Sequence, residues 1–263
     1  MASNEVVEEM GRANVVNCLY RYPGSAFKLI CFPWAGGGSN HFAKWGKTFP
    51  HSIEVSSIRL PGRECRSKEP FATNINLLVG EISNVLLPML QDVPFAFFGH
   101  SMGVYLAFLT ALHLKDNYKL QPVHFFVSSG TPPHKMDFLS FPDMSSVSED
   151  QIIHFFMNNG GTPKEVLENK ELLEIFFPIF KGDIQLLKSY FFAKPSKALL
   201  SCDITCFSGT EEVGNEVEGW KELTSGNVES HKLPGGHFYL TNPSNETFIA
   251  HYITRCLEIS DLA

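Results

Sequence analysis

The sequence predicts an α/β fold: a mostly parallel central sheet with helices on both faces and a helical insertion. Three observations predict it. Short apolar blocks of strand length recur at 27–32 (FKLICF), 53–60 (IEVSSIRL), 95–98 (FAFF) and 123–127 (VHFFV). Helical spacing of apolar residues fills the gaps between them, an alternation that belongs to parallel sheets covered on both faces. From Lys135 to about Pro195 strand signals vanish and Phe accumulates, before strand character returns at 201–207 (SCDITCF) and 228–233 (VESHKL). The expected organisation is a core of 1–134 and 196–263 with a helical lid subdomain, 135–195, inserted in it.

A chain of 263 residues with 44% hydrophobic content is long enough for one large core. The net charge of -7 carries no long run of either sign, which argues against nucleic acid or an anionic membrane surface as the main partner. The start, MASNEVVEEMGRANVV, is polar and acidic and lacks the apolar stretch of a secretory signal. No apolar run reaches membrane-spanning length, so no stable membrane insertion is expected. Six Cys are scattered without C-x-x-C spacing. Cys202 and Cys206 fall on one strand about 13 Å apart, too far for a disulfide. Free thiols in a reducing cytosol are the simplest reading, and the even count leaves disulfides formally open.

Strand 27–32 runs into Pro33-Trp34-Ala35-Gly36-Gly37-Gly38. This loop is not a dinucleotide fingerprint, which would need glycine at His41, and no Gly-Lys-Ser/Thr follows as in a phosphate loop. It suits a backbone that closely approaches a substrate, with an N–H near Ala35 as half of an oxyanion hole. Residues 39–49 look helical and carry Trp45. Strand 53–60 stops at Pro61-Gly62, beside Arg59, Arg63 and Arg66, a cluster that alone reads as a solvated loop. Residues 75–90 have helical periodicity, interrupted late by Pro88.

The run 94–114, PFAFFGHSMGVYLAFLTALHL, holds a strand, a sharp turn and a helix. Gly99-His100-Ser101-Met102-Gly103 matches G-x-S-x-G. A strand turning abruptly into a helix projects the serine Oγ above the sheet and aims the Met102 N–H at the same space. In the insertion, Ser148 and Gln151 form a capping box at the start of a helix. Residues 165–177 and 184–192 look like two further helices. Adjacent Phe155 and Phe156 cannot share one helix face. Either these aromatic residues fill the insertion's own core or some line an apolar tunnel for a lipophile. Residues 245–259 form a C-terminal helix.

Ser101 needs a general base. His100 diverges from its neighbour at such a turn, and His113, His124, His154 and His251 fall inside regular elements. His237, on the Pro234-Gly235-Gly236 loop after the last strand, is the candidate. A carboxylate to orient it belongs on the loop after strand 201–207, where Glu211 and Glu212 both stand. The chain order of nucleophile, acid and histidine matches sheet hydrolases.

FPWAGGG at 32–38, RLPGRE at 59–64, FFGHSMG at 97–103, NGGTPK at 159–164 and LPGGHFYL at 233–240 together resemble the type II thioesterases, over nearly the whole chain. The resemblance implies an α/β-hydrolase fold with a helical lid. It implies a serine thioesterase that releases medium-chain fatty acids from the phosphopantetheine arm of a fatty acid synthase acyl carrier protein domain, and from acyl-CoA. By position Ser101 is the nucleophile, His237 the base, and the backbones of Ala35 and Met102 the oxyanion donors. The family acid is usually Asp; its position, three residues after Gly209, is Glu212 here, so Glu211 stays open beside it. No cofactor or metal is expected, and the enzyme is expected to be a cytosolic monomer. Docking to an acidic carrier would use Lys188, Lys194 and Lys197, or Arg63 and Arg66. The alternatives are a carboxylesterase or acyltransferase with the same triad, and a catalytically weakened acyl-carrier-binding protein.

Overall fold

The computed structural model describes residues 11, 14–159, 167–212 and 217–260. Among the described residues seven strands form one sheet in the order β1-β3-β2-β4-β5-β6-β7. They are β1 (Val16–Asn17), β2 (Phe27–Phe32), β3 (Ile53–Ile58), β4 (Phe95–His100), β5 (His124–Ser128), β6 (Asp203–Gly209) and β7 (Val228–Leu233). Only β1 is antiparallel, paired to β3; all other neighbours run parallel. The sequence reading missed β1, because two residues are too few to show a period.

The central strands are apolar on both faces, as a sheet covered on both sides demands. In β4, Phe95 and Phe97 join one core together with Leu78, Ile82 and Leu86 of helix α2 (Ile75–Leu90) and most of α3 (Met102–Tyr118). The alternate residues Ala96 and Phe98 join a second core with Phe42, Trp45 and the C-terminal helix residues Ile249, Ile253 and Leu257. α3 is buried nearly all round along its first three turns, since it lies between the sheet and other helices. The expected helix over 39–49 is α1 (Asn40–Ala43) followed by a tighter 3-10 turn at Lys44–Lys47. α2 continues through Pro88 to Leu90.

Between β5 and β6 the described residues hold helices and no strand. α4 (Glu149–Asn159) opens with the anticipated reciprocal cap. Ser148 Oγ accepts from Gln151 N–H at 3.2 Å, and Gln151 Oε1 accepts from Ser148 N–H at 2.8 Å. The two helices expected at 165–177 and 184–192 are instead one, α5 (Lys170–Lys188), running through Pro178. Residues 160–166, where the first was expected to begin, lie outside the described residues, and 189–192 are not helical. The polar run Lys181-Gly182-Asp183 concealed the continuity. Asp183 is buried, so Leu173, Phe177, Phe180, Asp183 and Leu187 form one inward stripe at helical spacing. α6 (Val217–Lys221) precedes β7, and α7 (Pro243–Ser260) closes the chain. None of the six cysteines is in a disulfide. No helix among the described residues is long and apolar enough to cross a membrane.

Candidate active site

The parallel register brings the C-terminal ends of β2, β4, β5, β6 and β7 to one edge of the sheet. Ligands bind at that edge in such folds. Gly99 in β4 faces Phe32 of β2 and Val127 of β5, so the chain turns at Ser101 with a neighbouring strand on either side. Ser101 sits at φ 54°, ψ -120°, a region that costs a non-glycine residue about 1–3 kcal/mol and that surrounding structure must enforce. Its N–H donates to Ser128 O of β5 at 2.9 Å, and its carbonyl accepts from Val104 N–H at 3.0 Å. α3 starts at once with Met102.

The close approach of α3 to β2 explains Gly103. A Cβ there would lie 2.0 Å from Phe32 O. No side chain can move aside to relieve a clash with backbone. We expect Gly103→Ala to cost about 3–5 kcal/mol and to lower the thermal unfolding midpoint by many degrees. A calorimetric midpoint unchanged within a degree would show that the elbow is looser than this contact implies.

The other two sequence-predicted side chains meet on neighbouring loops. His237 Nδ1 lies 2.7 Å from Glu212 Oε1. Glu212 Oε2 accepts from Ser129 Oγ at 2.6 Å and from Gly209 N–H at 2.8 Å. Of the two glutamates it is Glu212 whose carboxylate meets His237; Glu211 is exposed and gives the loop its N–H, to Gly235 O at 3.1 Å. The extra methylene of Glu over Asp is taken up without loss of the histidine contact. Burial works to raise the Glu212 carboxyl, but the hydrogen bonds from His237, Ser129 and Gly209 outweigh it and hold the group below the ordinary carboxylate value. Glu212 is therefore an ionised acceptor, and His237 Nδ1 carries the proton between them.

Ser101 and His237 line one cavity of about 210 Å³, together with Ala35 and Met102. The N–H groups of Ala35 and Met102 donate to no described group. Apart from Ser129 and Thr131 the remaining wall is mostly apolar: Tyr105 and Phe138 with Phe141, Phe156, Phe180 and Leu187 among others. Phe156 is buried and packs on Phe176, Phe180 and Phe238, whereas Phe155 is 52% exposed and also borders the cavity. The insertion's aromatic residues thus divide between its own packing and the cavity wall. Among the described residues no group of three His, Cys, Asp or Glu is placed to hold a metal ion.

His100 is fully buried, its ring 5.0 Å from that of His237, and it does not line the cavity. Its Nδ1 meets Ser128 Oγ at 2.8 Å, and Ser128 Oγ meets Tyr239 OH at 2.6 Å. Burial, with His237 and His41 nearby, holds its imidazole well below the usual histidine value. Arg63 and Arg66 are not available as a carrier-docking surface. Both are buried: Arg63 pairs with Asp183, and Arg66 with Glu69 and Glu81. Lys194 is exposed but pairs with Glu222 at 2.5 Å. Sequence reasoning passed over Ser129, which holds the acid, and Trp34 and Phe238, which stack edge to face beside the catalytic edge. The Ser128-Ser129-Gly130 end of β5 was visible in the sequence, but nothing local ties it to a carboxylate 83 residues on.

A family model described as "Thioesterase domain" matches residues 27–256. The "S-acyl fatty acid synthase thioesterase, medium chain" of Rattus norvegicus is 52% identical over 248 residues, covering 94% of each chain. The Homo sapiens protein of the same name is 51% identical over 250 residues, covering 95% of this chain and 94% of its own. The crystal structure of human thioesterase 2 superposes with a TM-score of 0.71 at 44% identity, covering 90% of this chain and 99% of that one.

Proposed function

The chain belongs to the thioesterase domain family, and from that membership we propose that Ser101, His237 and Glu212 carry out the hydrolysis of an acyl thioester in two half-reactions. Ser101 Oγ attacks the thioester carbonyl carbon while His237 Nε2 takes its proton. The developing oxyanion receives the N–H groups of Ala35 and Met102. The C–S bond breaks, His237 returns the proton to the departing sulfur, and an acyl ester remains on Ser101. Water then enters, gives a proton to His237 and attacks the ester. Collapse releases the fatty acid and restores Ser101 with that proton. Glu212 keeps the His237 tautomer throughout and stabilises the imidazolium.

The observation that carries this reading is the His237–Glu212 hydrogen bond at 2.7 Å, on the rim of the cavity that also holds Ser101. The apolar wall supports a fatty acyl chain as the group transferred. We propose that residues 135–195 act as a lid over it. The names of the rat and human relatives support a fatty acid synthase acyl carrier domain as the source, with the acyl group on its phosphopantetheine arm, and medium-chain acids as products. Action as a monomer in the cytosol goes with this proposal.

A hydrolysis panel of carrier-bound and CoA-bound acyl groups of short, medium and long chain tests it. The expected result is highest kcat/KM for medium chains on the carrier. Faster turnover of oxyesters, or acyl transfer to an added alcohol in place of hydrolysis, would overturn it.

A further inference from the structure

The arginine-bearing turn of the RLPGRE motif and the polar interruption of α5 meet in one place. Asp183, on α5, and Arg63, on the loop after β3, are each at most 5% exposed. Arg63 Nη2 donates to Asp183 Oδ1 at 2.5 Å and Nη1 donates to Oδ2 at 2.8 Å. Both reach the glycine-rich loop as well. Gly36 N–H donates to Asp183 Oδ2 at 2.8 Å, and Arg63 Nη1 donates to Gly37 O at 2.9 Å. Burial pushes the Asp183 carboxyl up, yet all its neighbours here are N–H donors, so it serves as an acceptor-only carboxylate.

The loop they grip is a tight turn. Gly37 N–H donates to Trp34 O at 2.9 Å, which makes Ala35 and Gly36 the central residues. Gly36 has φ 78°, the left-handed value that a type II turn requires at its third position. Peptide groups are planar and trans, so turning the Trp34 carbonyl inward to Gly37 turns the Ala35 N–H outward. Asp183 and Arg63 hold the second half of that turn, one accepting from Gly36 N–H and the other donating to Gly37 O, so together they fix where the whole turn, and with it the Trp34–Ala35 peptide, stands. The same helix also covers the turn: a Cβ on Gly36 would lie 2.2 Å from the Phe176 ring.

We infer that Asp183, held by Arg63, is a positioning residue that sets the Ala35 N–H for the oxyanion by fixing the turn from the α5 side. Docking of the α5 helix and formation of the oxyanion hole are then one event. Arg63 supplies the charge that lets a carboxylate stay buried at this point, and Asp183 supplies the acceptor. The inference rests on Ser101 chemistry with Ala35 as an oxyanion donor.

Two double variants isolate the acceptor from the ion pair. Arg63→Met/Asp183→Asn removes the pair and keeps an amide oxygen able to accept from Gly36 N–H. Arg63→Met/Asp183→Leu removes both, and apolar replacement of a buried pair is often neutral for stability. We expect the Asn variant to keep kcat within about tenfold of the parent, and the Leu variant to fall roughly 100-fold further, the size of a lost oxyanion donor. KM and fatty acid binding should match between the two, while affinity for an acyl trifluoromethyl ketone falls with kcat in the Leu variant. Equal kcat in both would overturn the inference. Should either variant fail to fold, hydrogen exchange of the parent decides: residues 34–38 and 170–188 should lose protection together, and exchange of the loop under a protected α5 would overturn it. Residual full activity in Ser101→Ala would instead defeat the hydrolase reading itself, so the two failures are distinguishable.

Discussion

Replacing Ser101 with Ala is expected to lower acyl-thioester turnover by about 10⁴-fold or more, the scale seen when a serine nucleophile is removed from a triad. Ser101 is the hydroxyl at the strand-to-helix apex, held at φ 54° by the Ser128 and Val104 hydrogen bonds of its own backbone. Those bonds survive the substitution, and alanine bears the same backbone strain as serine. The unfolding midpoint should therefore stay close to that of the parent. The cavity wall and the Ala35 and Met102 N–H groups also remain, so acyl binding persists while the covalent step is lost. Single-turnover hydrolysis of a carrier-bound acyl group measures this. A fall below tenfold would mean that another group attacks the thioester.

The second large effect is expected from Glu212→Gln, at roughly 10³–10⁴-fold in kcat, with Glu211→Gln close to the parent. The geometry dictates the reason. Gly209 N–H can only donate, so the amide oxygen of a glutamine must take the place of Oε2, which accepts that bond at 2.8 Å. The amide NH₂ then faces His237 Nδ1, at the position where Oε1 lies 2.7 Å away. Nδ1 must become an acceptor, the ring proton moves to Nε2, and the base for Ser101 is lost. Stability carries a second signature. The folded-state value of Glu212 is depressed, so its contribution is present above the ordinary carboxylate range and is lost as pH falls through the depressed value. The gap in unfolding midpoint between parent and Glu212→Gln should be open at neutral pH and close in acid. Equal kcat for the two glutamine variants would move the acid elsewhere.

The central strands β2, β4 and β5 were legible because they are short apolar runs bounded by Pro and Gly, and because two-sided burial removes the ambiguity of alternation. β2 and β7 match their sequence limits. The elbow was legible because a glycine is forced wherever a helix meets a strand backbone, as at Gly103. Glu212 was only half legible. Residue type and chain order admitted both glutamates, and the separation depends on Ser129 and Gly209, which meet the carboxylate only in three dimensions. Arg63 was misread as a solvated or docking residue because its partner lies 120 positions away. The same pairing made α5 look like two helices. A buried charge interrupts a hydrophobic period in the sequence but not in the folded helix, where the partner neutralises it.

The most direct measurement is capture of the covalent intermediate. The enzyme is mixed with a slowly deacylating acyl thioester, quenched in acid within the first turnover, digested and examined by mass spectrometry. The expected result is one acyl mass increment on the peptide containing Gly99-His100-Ser101-Met102-Gly103, fragmenting to Ser101 and absent from Ser101→Ala. Full hydrolysis with no acyl-peptide at any quench time, or an acyl group on a different residue, would contradict it.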